Sequence, residues 1–231
     1  MNKITSAILA LALIFLFTSC GKKSVQEQTS QKEETKKEET VQKQQEKNDA
    51  KNDSINAANE NSKKEKFVKF ALEEDKMIND EKGQFAADAE ASSSYGDTKE
   101  NSQSYSPWQA TGKPNCENYA DDGRSWTSKD ADKGIEWLRL KFEKPVNATE
   151  VRVRQNMGPG AIIKIDLIDT DGKSHTIWEG IDKTRYDPVM ISWFFAKFDK
   201  TAYKTKEVKI TLATNTIGGW NEIDAVQLIG E

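Results

Sequence analysis

The segment WNEIDAVQLIG (Trp220–Gly230) closes a series of short predicted strands that begins at Trp137. In this series apolar and polar residues alternate, as in Leu138-Arg139-Leu140-Lys141-Phe142. The same alternation recurs in three further stretches, whose apolar members are Val151 and Val153; Ile163, Ile165 and Leu167; and Val208, Ile210 and Leu212. A period of two buries one face of a strand and leaves the other in water. The sequence therefore predicts an all-β fold, an antiparallel β-sandwich, which is a scaffold that generally binds ligands through its loops.

Residues 1–20 have the features of a bacterial secretory signal. A short basic start with Lys3 precedes an apolar run from Ala7 to Phe17, and small residues then lead to Cys20. The run is too short for a comfortable membrane span. A cysteine at this place, followed by Gly21, resembles the signal of bacterial lipoproteins, which implies cleavage before Cys20 and its lipidation. The alternatives are plain secretion with cleavage near Cys20 and an uncleaved anchor.

The residue after Cys20 and the count of cysteines add two expectations. Gly21 gives no signal for retention in the inner membrane, so the resemblance implies a lipid-anchored envelope protein of the bacterial outer membrane. The chain has two cysteines, Cys20 and Cys116, so a lipidated Cys20 leaves Cys116 without a disulfide partner. Nothing places the single histidine, His175, near Cys116, and we therefore expect a buried or loop thiol rather than a nucleophile.

Residues 21–66 are composed mainly of Lys, Glu, Gln, Asn and Ser. Such a segment cannot bury enough apolar surface to offset the entropy of ordering it. Glu–Lys pairs in Lys32–Thr40 favour a helix, but no apolar stripe supports one. We therefore predict a disordered tether over residues 21–66 and a short amphipathic helix over residues 67–83. Because its charges are of both signs, the tether is not expected to bind nucleic acid.

Residues 84–231 are about the modal size for one domain and carry an ordered set of motifs. The motifs are AEASSSY (Ala89–Tyr95), ATG (Ala110–Gly112), DDG (Asp121–Gly123) followed by Trp126, WLRL (Trp137–Leu140), Pro145-Val146 and NEIDAVQL (Asn221–Leu228). This order resembles discoidin-like domains, which are galactose-binding-like, jelly-roll sandwiches also found in coagulation factors and bacterial carbohydrate-binding modules. The resemblance implies a module that binds a glycan, a phospholipid headgroup or a protein at the loop end, without a catalytic residue.

Many domains of this family also hold a structural calcium ion. The resemblance implies Asp121, Asp122 and Glu222 as its ligands, and calcium prefers several hard oxygen ligands. The loop is shorter than the commoner family form, and Arg124 stands where a second acidic residue would help. The alternative is that Asp121–Gly123 form only a turn, and that Glu222 pairs with a cation or caps backbone groups.

Aromatic residues in predicted loops are the first candidates for ligand contacts. Trp220 follows two glycines directly before the last strand, and Trp108 lies in a polar loop with Tyr105. An aromatic face on a loop suits stacking on the C–H face of a sugar. The alternative for Trp220 is that it plugs the end of the sandwich. The tryptophans in or beside strands are expected in the core or half-buried, and they are Trp126, Trp137, Trp178 and Trp193.

Polar residues at the end of a strand are the second candidates. Arg154 and Asn156 precede the turn Gly158-Pro159-Gly160 and could hydrogen-bond a ligand's hydroxyl, carboxylate or peptide groups. The alternatives are that Arg154 pairs with an acidic residue and that Asn156 closes the turn.

Three classes of function remain. The first is a lipoprotein that binds a glycan or an envelope polymer through loop-end residues, and the second is a scaffold that binds an envelope protein. The third is a hydrolase, which the sequence disfavours, because it has one histidine and lacks a Gly-rich phosphate loop and a nucleophile elbow. We therefore predict a binding module rather than an enzyme.

Overall fold

The computed structural model describes residues 25–96, 104–187 and 190–231, with side chains from residue 43 onward. The predicted signal and Cys20 lie outside these residues. Over the part that is described, no helix is both long and apolar enough to cross a membrane. The chain divides into two compact units, Met1–Asn59 and Glu60–Glu231.

Helix α1 spans Val25–Ile78, where the sequence predicts a disordered tether and a separate short helix. The helical segment contains no glycine or proline and is rich in Lys, Glu and Gln, which have high helix propensity. From Lys43 to Lys69 every side chain is exposed, in agreement with the lack of an apolar stripe. Local propensity and Glu–Lys pairs therefore account for a helix that buries no side chain over this range.

Nine strands in the described residues form two antiparallel sheets. They are β1 (Gly83–Phe85), β2 (Asp88–Ala91), β3 (Ile135–Val146), β4 (Ala148–Met157), β5 (Ile162–Asp169), β6 (Ser174–Glu179), β7 (Ser192–Lys197), β8 (Thr205–Ala213) and β9 (Glu222–Gly230). The strand orders are β1-β9-β4-β7 and β2-β3-β8-β5-β6. The predicted antiparallel β-sandwich is confirmed, and the predicted domain start at residue 84 lies within β1.

The core between the sheets contains the alternating apolar residues that the sequence singles out. Leu138 and Leu140 of β3, Val151 of β4 and Leu212 of β8 are all fully buried. Strand β5 is an exception, because its register against β8 shifts between Ile162 and Lys164. As a result Ile162 is fully buried and Ile163 only half-buried, which corrects the predicted parity at the start of this strand.

The last turn of α1 covers the outer face of the sheet that contains β9 and β4. The carbonyl oxygen of Met77 accepts a hydrogen bond of 2.8 Å from the Gln227 amide, and Asp80 pairs with Arg152 at 3.0 Å. Together with the loops that donate to Asp224 and Glu222, this contact buries every residue of β9, although its sequence alternates. At the other end of this sheet Met157 of β4 pairs with Glu222 of β9, and both residues lie at the candidate site together with the loop that precedes β9.

Candidate functional site

A pocket of about 210 Å³ lies at the loop end of the sandwich. It is lined by Tyr95, Tyr105, Asp121, Thr127, Met157, Trp220 and Glu222. The structure thus brings together four sequence candidates, two proposed as ligand contacts and two as metal ligands, from segments more than 100 residues apart in the chain.

Three aromatic rings form the apolar wall of this pocket. The ring of Tyr95 lies edge-on to Tyr105, with centroids 5.4 Å apart, and edge-on to Trp220, at 5.9 Å. Tyr95 is 60% exposed and Trp220 37% exposed. Large aromatic surfaces that stay open to solvent around one pocket favour a ligand that covers them.

Trp220 is held at the surface by the loop before it. Gly219 adopts a φ of +91°, which favours glycine, and its N–H donates to Asp132 Oδ1 at 3.0 Å. The residue that fills this end of the sandwich is Trp126, which is fully buried and donates from Nε1 to the Ser93 carbonyl oxygen. The alternative that Trp220 plugs the sandwich is therefore wrong.

Tyr105 has an unusual backbone conformation for an aromatic residue, with a φ of +61°. Its N–H donates to the Gly123 carbonyl oxygen at 2.9 Å, and its own carbonyl oxygen accepts from Ser94 Oγ at 2.7 Å. Its hydroxyl donates to Asp121 Oδ1 at 2.7 Å, a hydrogen bond that raises the pKa of Tyr105 to about 12. These contacts hold a strained residue in place, which is a feature of preformed binding sites.

Glu222 is a buried carboxyl group at the base of the pocket, 1% exposed. Its Oε2 accepts hydrogen bonds from Asn156 Nδ2 at 2.6 Å, Ser125 Oγ at 2.9 Å and the Asp122 N–H at 3.1 Å. Burial raises the pKa of Glu222 to about 7, although the three hydrogen-bond donors oppose the rise.

The predicted calcium ligands are engaged with protein groups. The Asp122 carboxylate accepts both the N–H and the guanidinium of Arg124, whose hydrogen bonds lower the pKa of Asp122. Glu222 Oε2 already accepts three hydrogen bonds. Among the described side chains, no group of three or more His, Cys, Asp or Glu could hold a metal ion. Calcium stays a prediction, and the donor set described here does not fit it.

Arg154 is a buried structural residue, which corrects its predicted role as a ligand contact. It is 5% exposed and forms an ion pair with the buried Asp224, which it reaches through Nη1. Its Nε donates to Glu74 of α1 at 2.7 Å, and Nη1 also donates to the Cys116 carbonyl oxygen at 2.8 Å. The hydrogen-bond donors of Arg154 therefore contact α1 and the Cys116 loop. This agrees with the alternative that Arg154 pairs with an acidic residue.

Asn156 and Trp108 also lie apart from the pocket lining. Asn156 is fully buried behind Glu222, and its Nδ2 also donates to the Ala120 carbonyl oxygen. The prediction that Asn156 contacts the ligand is therefore corrected, because the residue instead holds Glu222 in place. Trp108 is 40% exposed on a 3-10 helix, Pro107–Ala110. The Cys116 thiol is buried, as expected, and burial raises its pKa.

Sequence reasoning did not select Tyr95, Thr127 or Met157 as site residues. A local signal existed for two of them, since Tyr95 directly precedes Gly96 and a polar loop, and Met157 precedes a Gly-Pro-Gly turn. Thr127 carries no such signal, because only its contact with the last strand, a hydrogen bond to the Asn221 carbonyl oxygen, brings it to the pocket.

Residues 75–231 match the family model of the C-terminal SD scarf domain of pappalysin-1. Because the match covers more than half of the chain, the chain belongs to this family. The matched region begins in the last turn of α1, the part of the helix that packs on the sandwich. Among curated protein sequences, none matches the chain significantly.

Several solved structures are similar to this chain. A Ruminococcus gnavus GH29 fucosidase in complex with fucose has 16% identity and a TM-score of 0.44, covering 67% of this chain and 26% of the fucosidase. The family 32 carbohydrate-binding module of C. perfringens NanJ, in complex with galactose, has 15% identity and a TM-score of 0.43, covering 63% of this chain and 98% of the module.

A third similar structure is the N-terminal domain of the single-strand break repair protein XRCC1, with 10% identity and a TM-score of 0.37, covering 46% of this chain and 79% of that domain. Likenesses of this size do not identify a ligand for this chain. The chain also spans only about a quarter of the fucosidase, 26% of its length.

Proposed function

We propose that the sandwich is a non-catalytic module that binds a glycan or a cell-surface polymer in its loop-end pocket. The observation that carries this proposal is the set of three aromatic rings around one small pocket, the exposed rings of Tyr95 and Trp220 and the half-buried ring of Tyr105. Aromatic faces stack on the apolar faces of sugar rings, and the few polar groups beside them fix the orientation of the ligand. In this pocket the polar groups are Asp121, Glu222 and the Tyr105 hydroxyl.

The carboxyl pair of the pocket does not support hydrolysis of a glycan. Glycosidases separate their two carboxyl groups by at least about 5 Å, which leaves room for the scissile bond or a water molecule. Glu222 is instead buried, and its carboxylate accepts hydrogen bonds from Asn156, Ser125 and the Asp122 N–H, so it is not free to act on a glycosidic bond. Binding without catalysis is therefore the function that this geometry favours.

The first test is a screen of glycans and cell-wall polymers with the full chain carrying Cys20→Ser. Two variants form a matched pair, since Trp220 and Trp108 are exposed to a similar degree, 37% and 40%, and only Trp220 lines the pocket. We expect Trp220→Ala to abolish binding, because shallow sugar sites bind weakly, and Trp108→Ala to retain it. Melting temperatures show that both variants stay folded. Loss of binding in Trp108→Ala alone, or no bound glycan at all, would contradict the proposal.

Anchoring of this module to a membrane through Cys20 is part of the proposal. The motive is the sequence FTSCG (Phe17–Gly21) after an apolar run. We expect the whole chain, expressed in a bacterium, to partition into the detergent phase, and Cys20→Ser to partition into the aqueous phase. Aqueous partitioning of both would show that the chain is not a lipoprotein.

A second candidate function is a scaffold for an envelope protein, favoured by a separate apolar groove. This groove, of about 810 Å³, is lined by residues that include Trp178, Ile181 and Phe195. Ile181 is 82% exposed and Phe195 45% exposed. Exposed apolar patches of this kind mark protein contacts. Loss of partner capture in Phe195→Ser, with glycan binding intact, would separate this role from the first.

A further inference from the structure

The pocket contains acidic groups without a basic partner among its described lining residues. Asp121 and Glu222 contribute carboxyl groups, and no lysine, arginine or histidine belongs to the lining. Arg124 follows the same loop, but its guanidinium is paired with Asp122 at 2.6 Å. The described lining of the pocket therefore contains two carboxyl groups and no basic side chain.

The aromatic wall adds to the attraction for a cation. The rings of Tyr95 and Tyr105 meet at 80°, and those of Tyr95 and Trp220 at 83°, so they stand as nearly perpendicular walls. The face of an aromatic ring carries negative electrostatic potential, and an ammonium group close to it is stabilised. The aromatic rings and the carboxyl groups of this pocket therefore both favour a positively charged ligand.

The site is also rich in hydrogen-bond acceptors and poor in free donors. The Tyr105 hydroxyl donates its proton to Asp121. Asn156, fully buried behind Glu222, uses its amide nitrogen for Glu222 and Ala120 and offers no donor to the pocket. A ligand that brings N–H donors complements such a site better than one that brings acceptors.

We propose that the ligand is a sugar with a free, protonated amino group, bound with its ammonium group between the aromatic rings and against Asp121 and Glu222. This inference rests on the proposed glycan-binding function and specifies its ligand class. A neutral sugar could stack on the rings, but it would bring no cationic group to the two carboxyl groups of the lining. The ammonium group supplies both the charge and the missing donors.

The test is a nuclear magnetic resonance titration of the full chain carrying Cys20→Ser at pH 6, where a sugar amine is protonated. The probes are glucosamine, N-acetylglucosamine, which has the same ring with a neutral substituent, and choline, which has the charge without a sugar ring. We expect glucosamine to bind at least tenfold more tightly than N-acetylglucosamine. Asp121→Asn should reduce this preference at least threefold.

Two further variants keep the result interpretable. Asp130→Asn is the matched control, because Asp130 is an acidic residue paired with Lys133 outside the pocket, and it should leave the preference unchanged. Tyr95→Leu, at an exposed position, should weaken binding of glucosamine without unfolding the sandwich. Melting curves of each variant show that it is folded.

The outcomes separate this inference from the function on which it rests. Equal affinity for the two sugars would overturn the amino-sugar assignment and leave the glycan-binding function standing. Binding of choline without either sugar would also overturn the assignment, as would a preference for glucosamine that Asp121→Asn leaves intact. A pocket that binds no sugar in the wider screen would instead refute the proposed function.

Discussion

Glu222 connects the fold to the pocket, because its buried carboxyl group receives hydrogen bonds from one loop and one strand and also lines the ligand site. A carboxyl group in this position is a liability for stability when it ionises, since burial disfavours the charged form. The stability of the domain should therefore depend on the protonation of this single residue.

This dependence has a definite sign. The pKa of Glu222 rises from 4.5 in the unfolded chain to about 7 in the folded domain. Between these values the folded state binds more protons than the unfolded state, so the free energy of unfolding decreases as pH rises through this window. At about 1.4 kcal/mol per pKa unit, the contribution is on the order of 3 kcal/mol. We expect the melting temperature to fall between pH 5 and pH 8, and to fall less in Glu222→Gln. Identical pH profiles for the two proteins would contradict this.

Arg154 should matter for stability rather than for binding. Removal of its guanidinium leaves the buried carboxylate of Asp224 unpaired, so Arg154→Ala should cost about 3–5 kcal/mol of unfolding free energy. Arg139→Ala is the control, because Arg139 pairs with Glu90 and Glu207 on a more exposed surface and should cost about 1 kcal/mol or less. Urea denaturation measures both. Similar losses in the two variants would show that the buried pair contributes little.

At the scale of secondary-structure elements, α1 combines two kinds of helix. From Lys43 to Lys69 its side chains are exposed, so only local propensity stabilises it. In its last turn Glu74 accepts hydrogen bonds from Arg154 and from Trp193 Nε1, and this end of the helix is fixed to the sandwich. The two parts should differ in how often they unfold.

Amide hydrogen exchange of the full chain should reveal this difference. We expect the slowest exchange in the last turn of α1, up to Ile78, and progressively faster exchange toward Val25, because a helix without tertiary contacts frays. Glu74→Ala should speed exchange in the last turn only. Exchange as slow in Lys43–Lys69 as in the strands would contradict this view of the helix.

The strands could be predicted from the sequence because their periodicity is local. That a helix covers the outer face of β4 and β9 could not be predicted. Alternation places Arg154 on the outer face of β4, which a sequence reading assigns to solvent. The structure covers that face with a helix segment about 80 residues earlier in the chain, and this distant contact has no local signature. The register shift at the start of β5, which changes the residues that are buried there, likewise has no signal in the sequence.

The candidate site was predictable only in part, for a similar reason. Trp220 could be named because a Gly-Gly pair before an aromatic residue marks a loop, and Tyr105 because it lies in a polar stretch. That Tyr95 packs against both rings depends on a contact with Trp220, which is 125 residues later in the chain. Sequence patterns identify loop residues well, but they do not tell which loops meet.

At the scale of the whole molecule, a small binding module follows a long exposed helix in the chain, and we propose a lipid anchor at Cys20. The loop-end pocket of the module has a volume of about 210 Å³, which is small compared with the clefts that hold large ligands. A single site of this size binds weakly by itself. Several copies displayed on one membrane would bind a repetitive polymer more tightly through avidity.

The most direct test of the central claim is a spectrum of the tryptophan indole N–H groups during titration with the glycan that the screen identifies. The chain has six tryptophans, and the signal of Trp220 is assigned by its loss in Trp220→Phe. We predict that this signal shifts and saturates with the ligand, while those of Trp108 on the surface and Trp126 in the core stay in place. A saturable shift of Trp108 or another indole, with the Trp220 signal unmoved, would show that the ligand binds elsewhere and contradict the account.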